Sequence, residues 1–592
     1  MPPDRKRKAS DNESAISKLR KARAANNETS TREPSREPQL ESPLKPTKAF
    51  RKPRKDIKHT QPEQLQAEYP ESDHVLPVEQ SHASEADEND NSFAALTGSV
   101  VDQGQRLYER LPQRRLRVEL SKGADCIIAG RGSLWVKHGT VYFMGAVLQA
   151  SEDLHHFSAP TSLALPSIQA LDVDAEFELA EIHEPRSPSP DTLSSLFKPL
   201  TPLNSTASDT TYQVLGLDFT LLTGSDKPPR ILNLVDDYFK VIPELRRSAD
   251  QRLLFIGGRP HEAATLARCI INRLLTLQKQ AGDVLFLDLN STIPVFSPPG
   301  FLSVLRVRSP VLGPVFDRSC QKDIDVVRQH FVGDTAAGLP PNAGNRSCVQ
   351  DLVKTVLASQ DQKHLTPLLV NVGIANSLGE DLNEDLWRDL SPTSVLVSES
   401  SKTSPTVDTR AALAAKTAVP IRFLPSINET AHLSRAHHTN LRSYFSSVEN
   451  RVSSCAPQLQ LSYSGPGATV AAVTTIDAHI PNANVHKTVV GLIAALTLVD
   501  LSVLATSSHA LKHCASSRIP LLPSLTSLGF AADQTECLGL CYVQSIDIVE
   551  GTLDLVTPVN QQSIECGATQ GKGVVLLVQP PTREGTFMPQ ER

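Results

Sequence analysis

Hydrophobic and polar positions change grammar three times along the chain. From about Leu116, short apolar runs alternate with glycine: Cys126-Ile127-Ile128-Ala129-Gly130, then Ser133 to Lys137, then Gly139-Thr140-Val141-Tyr142-Phe143-Met144-Gly145. Strand-sized runs bounded by turn residues predict a small antiparallel β-domain. From Arg252 the apolar runs become continuous. Leu253 to Ile256 is closed by Gly257-Gly258, Val284 to Leu287 by Asp288, Leu368 to Val370 by Asn371, and Val395 to Val397 by Ser398. Helix-type stretches fall at about Ala263 to Gln280 and Glu380 to Asp389. Fully apolar strands alternating with helices predict a parallel sheet covered on both faces. After Pro425 the pattern is mixed, and Cys537 to Pro558 predicts two strands around a turn at Gly551, a third and mainly β module.

The polar segments complete this division. Residues 1–92 lack apolar periodicity and are dominated by Lys, Arg, Ser, Pro and Glu, the composition of a disordered tail. Residues 1–60 hold 17 Lys and Arg against 8 Asp and Glu; residues 61–92 hold nine acids and no Lys or Arg. The whole chain has a formal net charge of −6. The remaining 500 residues therefore also carry −6, so any nucleic-acid surface on the body is local. Basic clusters at Arg5 to Lys8, Lys18 to Arg23 and Lys48 to Lys58 read as a nuclear address or as nucleic-acid contacts. A Ser/Pro/Thr-rich stretch at 183–210 reads as an insertion. The expected organisation is a tail at 1–92, an N-terminal β-domain at 93–249, an α/β domain at 250–425 and a mainly β domain at 426–592.

Several classes are excluded on the same grounds. The start, Pro2-Pro3-Asp4 followed by Arg5 to Lys8, has no apolar h-region and is not expected to direct secretion. The longest apolar stretch, Val489 to Ala505, is broken by Asp500 and falls short of a membrane span, so no membrane partner is expected. Nine scattered cysteines, an odd number, suit reduced thiols. Cys537 and Cys541 have no second pair or nearby His and are assigned to the core rather than to zinc. His261, His437 and His438 lack ligand partners at readable spacing, so no metal site is expected. Arg435 and Arg442 flank the two histidines either as a basic face for RNA or as solvated charges.

The segment Phe255 to Leu266 sits where a phosphate-binding loop belongs, after a buried strand and opening a helix. Such a loop needs G-x-x-x-x-G-K-[ST], with backbone N–H groups around phosphate, a Lys on the β/γ-phosphates and a hydroxyl on Mg²⁺. Counted from Gly257, the second Gly is Glu262, the Lys is Ala263 and the hydroxyl residue is Ala264. Counted from Gly258, they are Ala263, Ala264 and Thr265. Neither register supplies the Lys, and Glu262 sets a carboxylate where a helix N-terminus would attract a triphosphate. Gly257, Gly258, Arg259 and Thr265 remain as vestigial cofactor-binding candidates. Arg259 is either a phosphate contact or a solvated charge.

These motifs, in order, resemble the polynucleotide 5′-hydroxyl kinase family, specifically its ribosomal-RNA-processing subgroup. The resemblance runs from about Cys126 to Val578. Its first part is Gly139-Thr140-Val141-Tyr142 to Gly145-Ala146, with Ala159-Pro160 and Ala164-Leu165-Pro166. Its second is Leu287-Asp288-Leu289-Asn290 through Ser297-Pro298-Pro299-Gly300, then Leu312-Gly313-Pro314. Its last is Cys537-Leu538-Gly539-Leu540-Cys541-Tyr542-Val543, with Ile546-Asp547 and Leu555-Val556-Thr557-Pro558. The resemblance implies a P-loop NTPase-like α/β domain between two β-domains, with ATP and Mg²⁺ as cofactors of an active member. It also implies pre-rRNA as ligand and an endoribonuclease as partner.

The family's functional residues transfer poorly. Members read D-x-D-x-G-Q-x-E-F after the second strand, for metal, base and substrate. This chain keeps Asp288 but has Asn290, Ile293 and Val295 at the second acid, the Gln and the Glu. The lid, G-x-T-S-P in members, reads Gly333-Asp334-Thr335-Ala336-Ala337. The strand-end motif N-T-x-G-W-x-K-G-L-G keeps Asn371 but loses its Thr, Trp and Lys over Val372 to Gly379. Asp288 is then either a structural carboxylate capping the next turn or, in an active enzyme, the metal ligand and base. Four altered motifs lead to the expectation of a catalytically impaired, cofactor-free scaffold in pre-rRNA processing, in the nucleus and probably its nucleolus; the alternative is an active kinase of RNA 5′-hydroxyl ends. Deleting residues 1–60 should disperse a fluorescently tagged protein from the nucleus while the body stays folded. Unchanged localisation would assign the basic clusters to RNA contact or solubility instead.

Overall fold

The computed structural model describes residues 100–102, 106–112, 115–159, 164–171, 173–180, 211–213, 219–222, 231–232, 252–257, 260–277, 282–314, 320, 323–333, 343–362, 368–374, 380–398, 419–424, 440–441, 444–445, 458–465, 467–475, 485–506, 511–522 and 532–578. The chain divides into two units, Met1–Asp87 and Glu88–Arg592, and all described residues belong to the second. The expected tail at 1–92 and the insertion at 183–210 lie outside the described residues. No helix among the described residues is long and apolar enough to cross a membrane.

Three sheets follow one another along the described chain. The first has twelve strands between Val100 and Leu232. Its pleat is legible in Arg115–Leu120, where Leu116, Val118 and Leu120 are buried and the intervening positions are not, the period-2 pattern of a strand with one wet face. Phe143 and Phe157 meet edge to face at 5.9 Å in its core.

The central sheet is built from β1 (Arg252–Gly257), β2 (Val284–Asp288), β3 (Phe301–Val307), β4 (Ile324–Phe331), β5 (Leu368–Ile374), β6 (Ser394–Ser398) and β7 (Ile421–Leu424). Their spatial order is β4-β3-β2-β5-β1-β6-β7. The five strands from β2 to β7 run parallel. The sheet as a whole is mixed, which corrects the expectation of a purely parallel one: β3 and β4 extend it as antiparallel neighbours. The chain returns from β2 to β3 without a helix and so can only come back antiparallel. Both faces are covered. Leu253, Phe255, Val284 and Phe286 point to a core shared with α1 (Pro260–Leu277). Leu254, Leu285 and Leu287 point to the opposite core, with α2 (Ala343–Gln362) and α3 (Glu380–Leu390). The helix α2 had no counterpart among the sequence expectations.

The third sheet, eight strands between Gln458 and Val578, is also mixed. Thr535–Asp547 and Thr552–Val556 pair around Gly551, whose φ of 68° suits the turn. Cys537 and Cys541 are buried free thiols in this module, as core residues would be. Phe301 and Phe331 of the central sheet join its core together with Tyr444 and Phe445. Polar contacts add to that seam: Arg328 donates to the Ala532 carbonyl at 3.0 Å and Gln329 to that of Cys537 at 3.0 Å.

Helix α1 fixes the central sheet to the first one. It is buried on almost every side, with Ala263, Leu266, Ala267, Ile270 and Ile271 fully covered. A helix apolar all round belongs inside a protein, yet this one carries a polar stripe of Glu262, Thr265, Arg268, Asn272 and Thr276. Asn272 Nδ2 donates to the carbonyls of Met144 (2.8 Å) and Val311 (3.0 Å), and Oδ1 accepts the Val311 N–H at 2.8 Å. Thr276 Oγ1 accepts the Val147 N–H at 2.9 Å, and Arg268 Nη1 donates to the Gly313 carbonyl at 2.6 Å. Between Met144 and Ala146 the chain must turn with φ of 88° at Gly145, where a Cβ would collide with the Cys269 backbone. Asn272→Ala strands three buried main-chain groups at about 1–3 kcal/mol each before relaxation. Its urea midpoint should fall by an amount equivalent to about 3 kcal/mol or more. Asn272→Asp should be no better, because a carboxylate faces two carbonyls without a donor.

Candidate functional site

Parallel α/β sheets present ligands at the carboxyl ends of their strands, and the register of this sheet brings the altered motifs to that edge. Asp288 ends β2 opposite Asn371 of β5, Asn371 is also opposite Phe255 of β1, and Ile256 is opposite Val397 of β6. Gly257 ends β1, and Glu262 and Thr265 follow it on α1. Segments far apart in the chain thus converge on one edge.

Asp288 is fully buried. Its Oδ1 accepts the Asn290 N–H at 3.2 Å and the Asn371 Nδ2 amide at 3.0 Å; its Oδ2 accepts the Val295 N–H at 2.6 Å. Burial pushes its carboxyl up to about 7, against the lowering pull of Val295, Asn290 and Asn371. Asn290 continues the pattern, its Oδ1 accepting the Ile293 N–H at 3.3 Å. The loop leaving β2 is therefore folded around its own side chains, and Ser297 meets Ser303 at 3.0 Å beneath it. Local polar side chains replace the backbone ladder that an irregular buried segment lacks.

Glu262 is the third residue of α1 and is fully buried. Its Oε1 accepts a hydrogen bond from Ser398 Oγ at 2.8 Å. The carboxylate expected from sequence to stand open beside a phosphate is instead packed against the end of β6. Ala263 is fully buried and Ala264 nearly so, and Thr265 lies buried in the second turn. Gly258 and Arg259 lie outside the described residues, as do Arg435, His437, His438, Arg442 and the side chain of His261. Among the described residues no group of His, Cys, Asp and Glu is arranged to hold a metal ion. The residues described do not fit Mg-ATP. No ammonium stands at Ala263, no hydroxyl at Ala264, and both oxygens of Asp288 already hold N–H donors.

Sequence reasoning missed Ser398 and Asn272. Each is a polar residue interrupting an apolar run, Val395-Leu396-Val397 before Ser398 and Ile270-Ile271 before Asn272. That interruption is the available signal, though it names no partner.

Fold and site together define a P-loop-type domain with an altered phosphate loop. The model of the mRNA cleavage and polyadenylation factor CLP1 P-loop matches residues 263–447. The polynucleotide 5′-hydroxyl-kinase grc3 of Neosartorya fischeri is 24% identical over 562 residues, covering 78% of this chain and 66% of the relative. GRC3 of Gibberella zeae, of the same description, is 27% identical over 519 residues, covering 78% and 69%. The chain thus spans about two thirds of the length of the curated relatives it matches. A solved complex of wild-type Clp1p with Pcf11p aligns with a TM-score of 0.48 at 14% identity, covering 79% of this chain and 99% of that one. The chain is a member of the polynucleotide kinase family.

The raised carboxyl of Asp288 has a consequence for stability. Its folded value of about 7 lies above the ordinary carboxylate range near 4. Between those pH values the folded state therefore holds a proton that the unfolded chain has released. Stability from this group is complete below about pH 4 and falls as pH rises towards 7. Asp288→Asn removes the titration. Between pH 5 and pH 8, urea melts should show the unmodified protein losing stability relative to Asp288→Asn by about 1.4 kcal/mol or more. A relative gain over that interval would place the folded carboxyl below its ordinary range.

Proposed function

We propose that this protein is a non-catalytic polynucleotide 5′-hydroxyl kinase relative that serves pre-rRNA processing as a scaffold, in the nucleus and its nucleolus. Pre-rRNA and an endoribonuclease are its proposed ligand and partner, in keeping with the family resemblance and with the polynucleotide kinases among its relatives. One observation carries the non-catalytic reading: the only family acid retained after β2, Asp288, spends both oxygens on N–H donors of its own chain. Phosphoryl transfer depends almost wholly on placing metal and phosphates. A carboxylate so engaged, with burial favouring its neutral form, is a poor Mg²⁺ ligand and a poor base. The rival reading, an active ATP-dependent kinase, draws its support from the presence of Asp288 at the family's position.

Two measurements separate these readings. Labelled γ-phosphate should not pass from ATP to a 5′-hydroxyl RNA oligonucleotide above background. Turnover abolished by Asp288→Asn would establish the kinase. Binding is tested apart from turnover, because a ligand at a hundredfold excess over its Kd stabilises by about 2.7 kcal/mol. Millimolar Mg-ATP, ADP or GTP should leave the melting temperature unchanged, in the unmodified protein and in Ala263→Lys alike. A rise of several degrees in the unmodified protein would overturn the cofactor-free reading.

A further inference from the structure

Glu262 is a fully buried carboxylate in the first turn of a helix that follows the strand β1. Ionised groups are kept out of protein interiors unless they are paired, because burial costs several kcal/mol. Two features of this position favour an anion. The first N–H groups of a helix have no partner within it, and the aligned peptide dipoles leave partial positive charge there. A third is supplied by the sheet. Ile256 pairs with Val397, so Ser398, itself fully buried, sits beside the end of β1 and donates its hydroxyl to Glu262 at 2.8 Å. The carboxylate thus lies in the crook between two strand ends and the start of α1, where strand–loop–helix proteins seat a phosphate.

We propose that Glu262 is a built-in anion: its carboxylate fills a latent oxyanion site of the phosphate class and clasps α1 to the ends of β1 and β6. The clasp does internally what a bound phosphate does in a nucleotide-loaded loop, and it excludes inorganic phosphate or pyrophosphate by prior occupation. The proposal rests on reading this crook as the family's phosphate loop, and deepens that reading by naming what fills it.

Thermal melts of the full chain test the proposal, with sodium phosphate or pyrophosphate compared against chloride at matched ionic strength. Glu262→Ala should melt below the unmodified protein in chloride, and millimolar pyrophosphate should raise its melting temperature by several degrees. That rise should be at least twice the shift of the unmodified protein. Glu262→Gln fills the space without charge and should show no such rescue. Ser398→Ala, which only loosens the clasp, should give a smaller pyrophosphate shift that the unmodified protein lacks. If Glu262→Ala does not fold in chloride, recovery of soluble protein on refolding in phosphate supports the proposal, and equal failure in both salts overturns it. Equal pyrophosphate shifts in all four proteins, or none in any variant, also overturn it. A Mg-ATP shift in the unmodified protein would sink the cofactor-free function instead, so the two failures are distinguishable.

Discussion

The side-chain amide of Asn272 ties together three main-chain groups from separate parts of the chain, and the placement of helix α1 depends on it. Met144 belongs to the turn between two strands of the first sheet, and Val311 to the loop after β3. Neither can reach a strand partner for these groups, and the interior offers no water to take their place. An amide has one acceptor and two donors, which is what one N–H and two carbonyls require. Gly145 allows the approach, since any Cβ would strike the helix backbone. With the middle of α1 anchored there, its first turn is held over the carboxyl ends of β1 and β6.

The same demand, that buried polar groups be satisfied, accounts for the character of the candidate site. Asp288, Asn290, Glu262 and Ser398 are all buried and all engaged within the chain. In a working phosphate loop the polar groups at this edge are held ready for ligand and metal, which is a costly arrangement when the ligand is absent. Here those groups serve the fold. The edge has become part of the core, and Ala263 and Ala264 extend apolar packing up to it.

A second polar node joins the central sheet to the third. Asp351 of α2 accepts from Arg328 Nε and from His330 Nε2, both at 2.8 Å. Burial alone would raise its carboxyl, but these two partners outweigh burial and hold it below its ordinary range. Arg328 then reaches onward to Ala532, and Ser347 accepts the Ala532 N–H at 3.1 Å. Apolar packing of Phe301 and Phe331 sets the two modules together, and the directional bonds define their register. A surface held in this way suits a rigid platform for partners better than an enzyme that must open and close.

Local pattern alone determined the strands and the first helix: β1, β2, β5 and β6 are continuous apolar runs, and α1 begins at Pro260, whose missing N–H costs a first helical position nothing. The same local reading showed that no lysine follows Gly257, since that absence needs no geometry. The antiparallel turn into β3, the helix α2 and the orientation of both acids were not legible. Glu262 looks open to solvent in sequence because nothing near it names a partner, and its hydroxyl donor lies 136 residues away. Asp288 offered two readings for the same reason. Its nearest donors are local, but the Asn371 amide arrives from a strand 83 residues on. Hydrogen-bond satisfaction is a property of groups in space, and a carboxylate's chemistry follows from which donors surround it. Only the tertiary structure could decide that these two acids face inward.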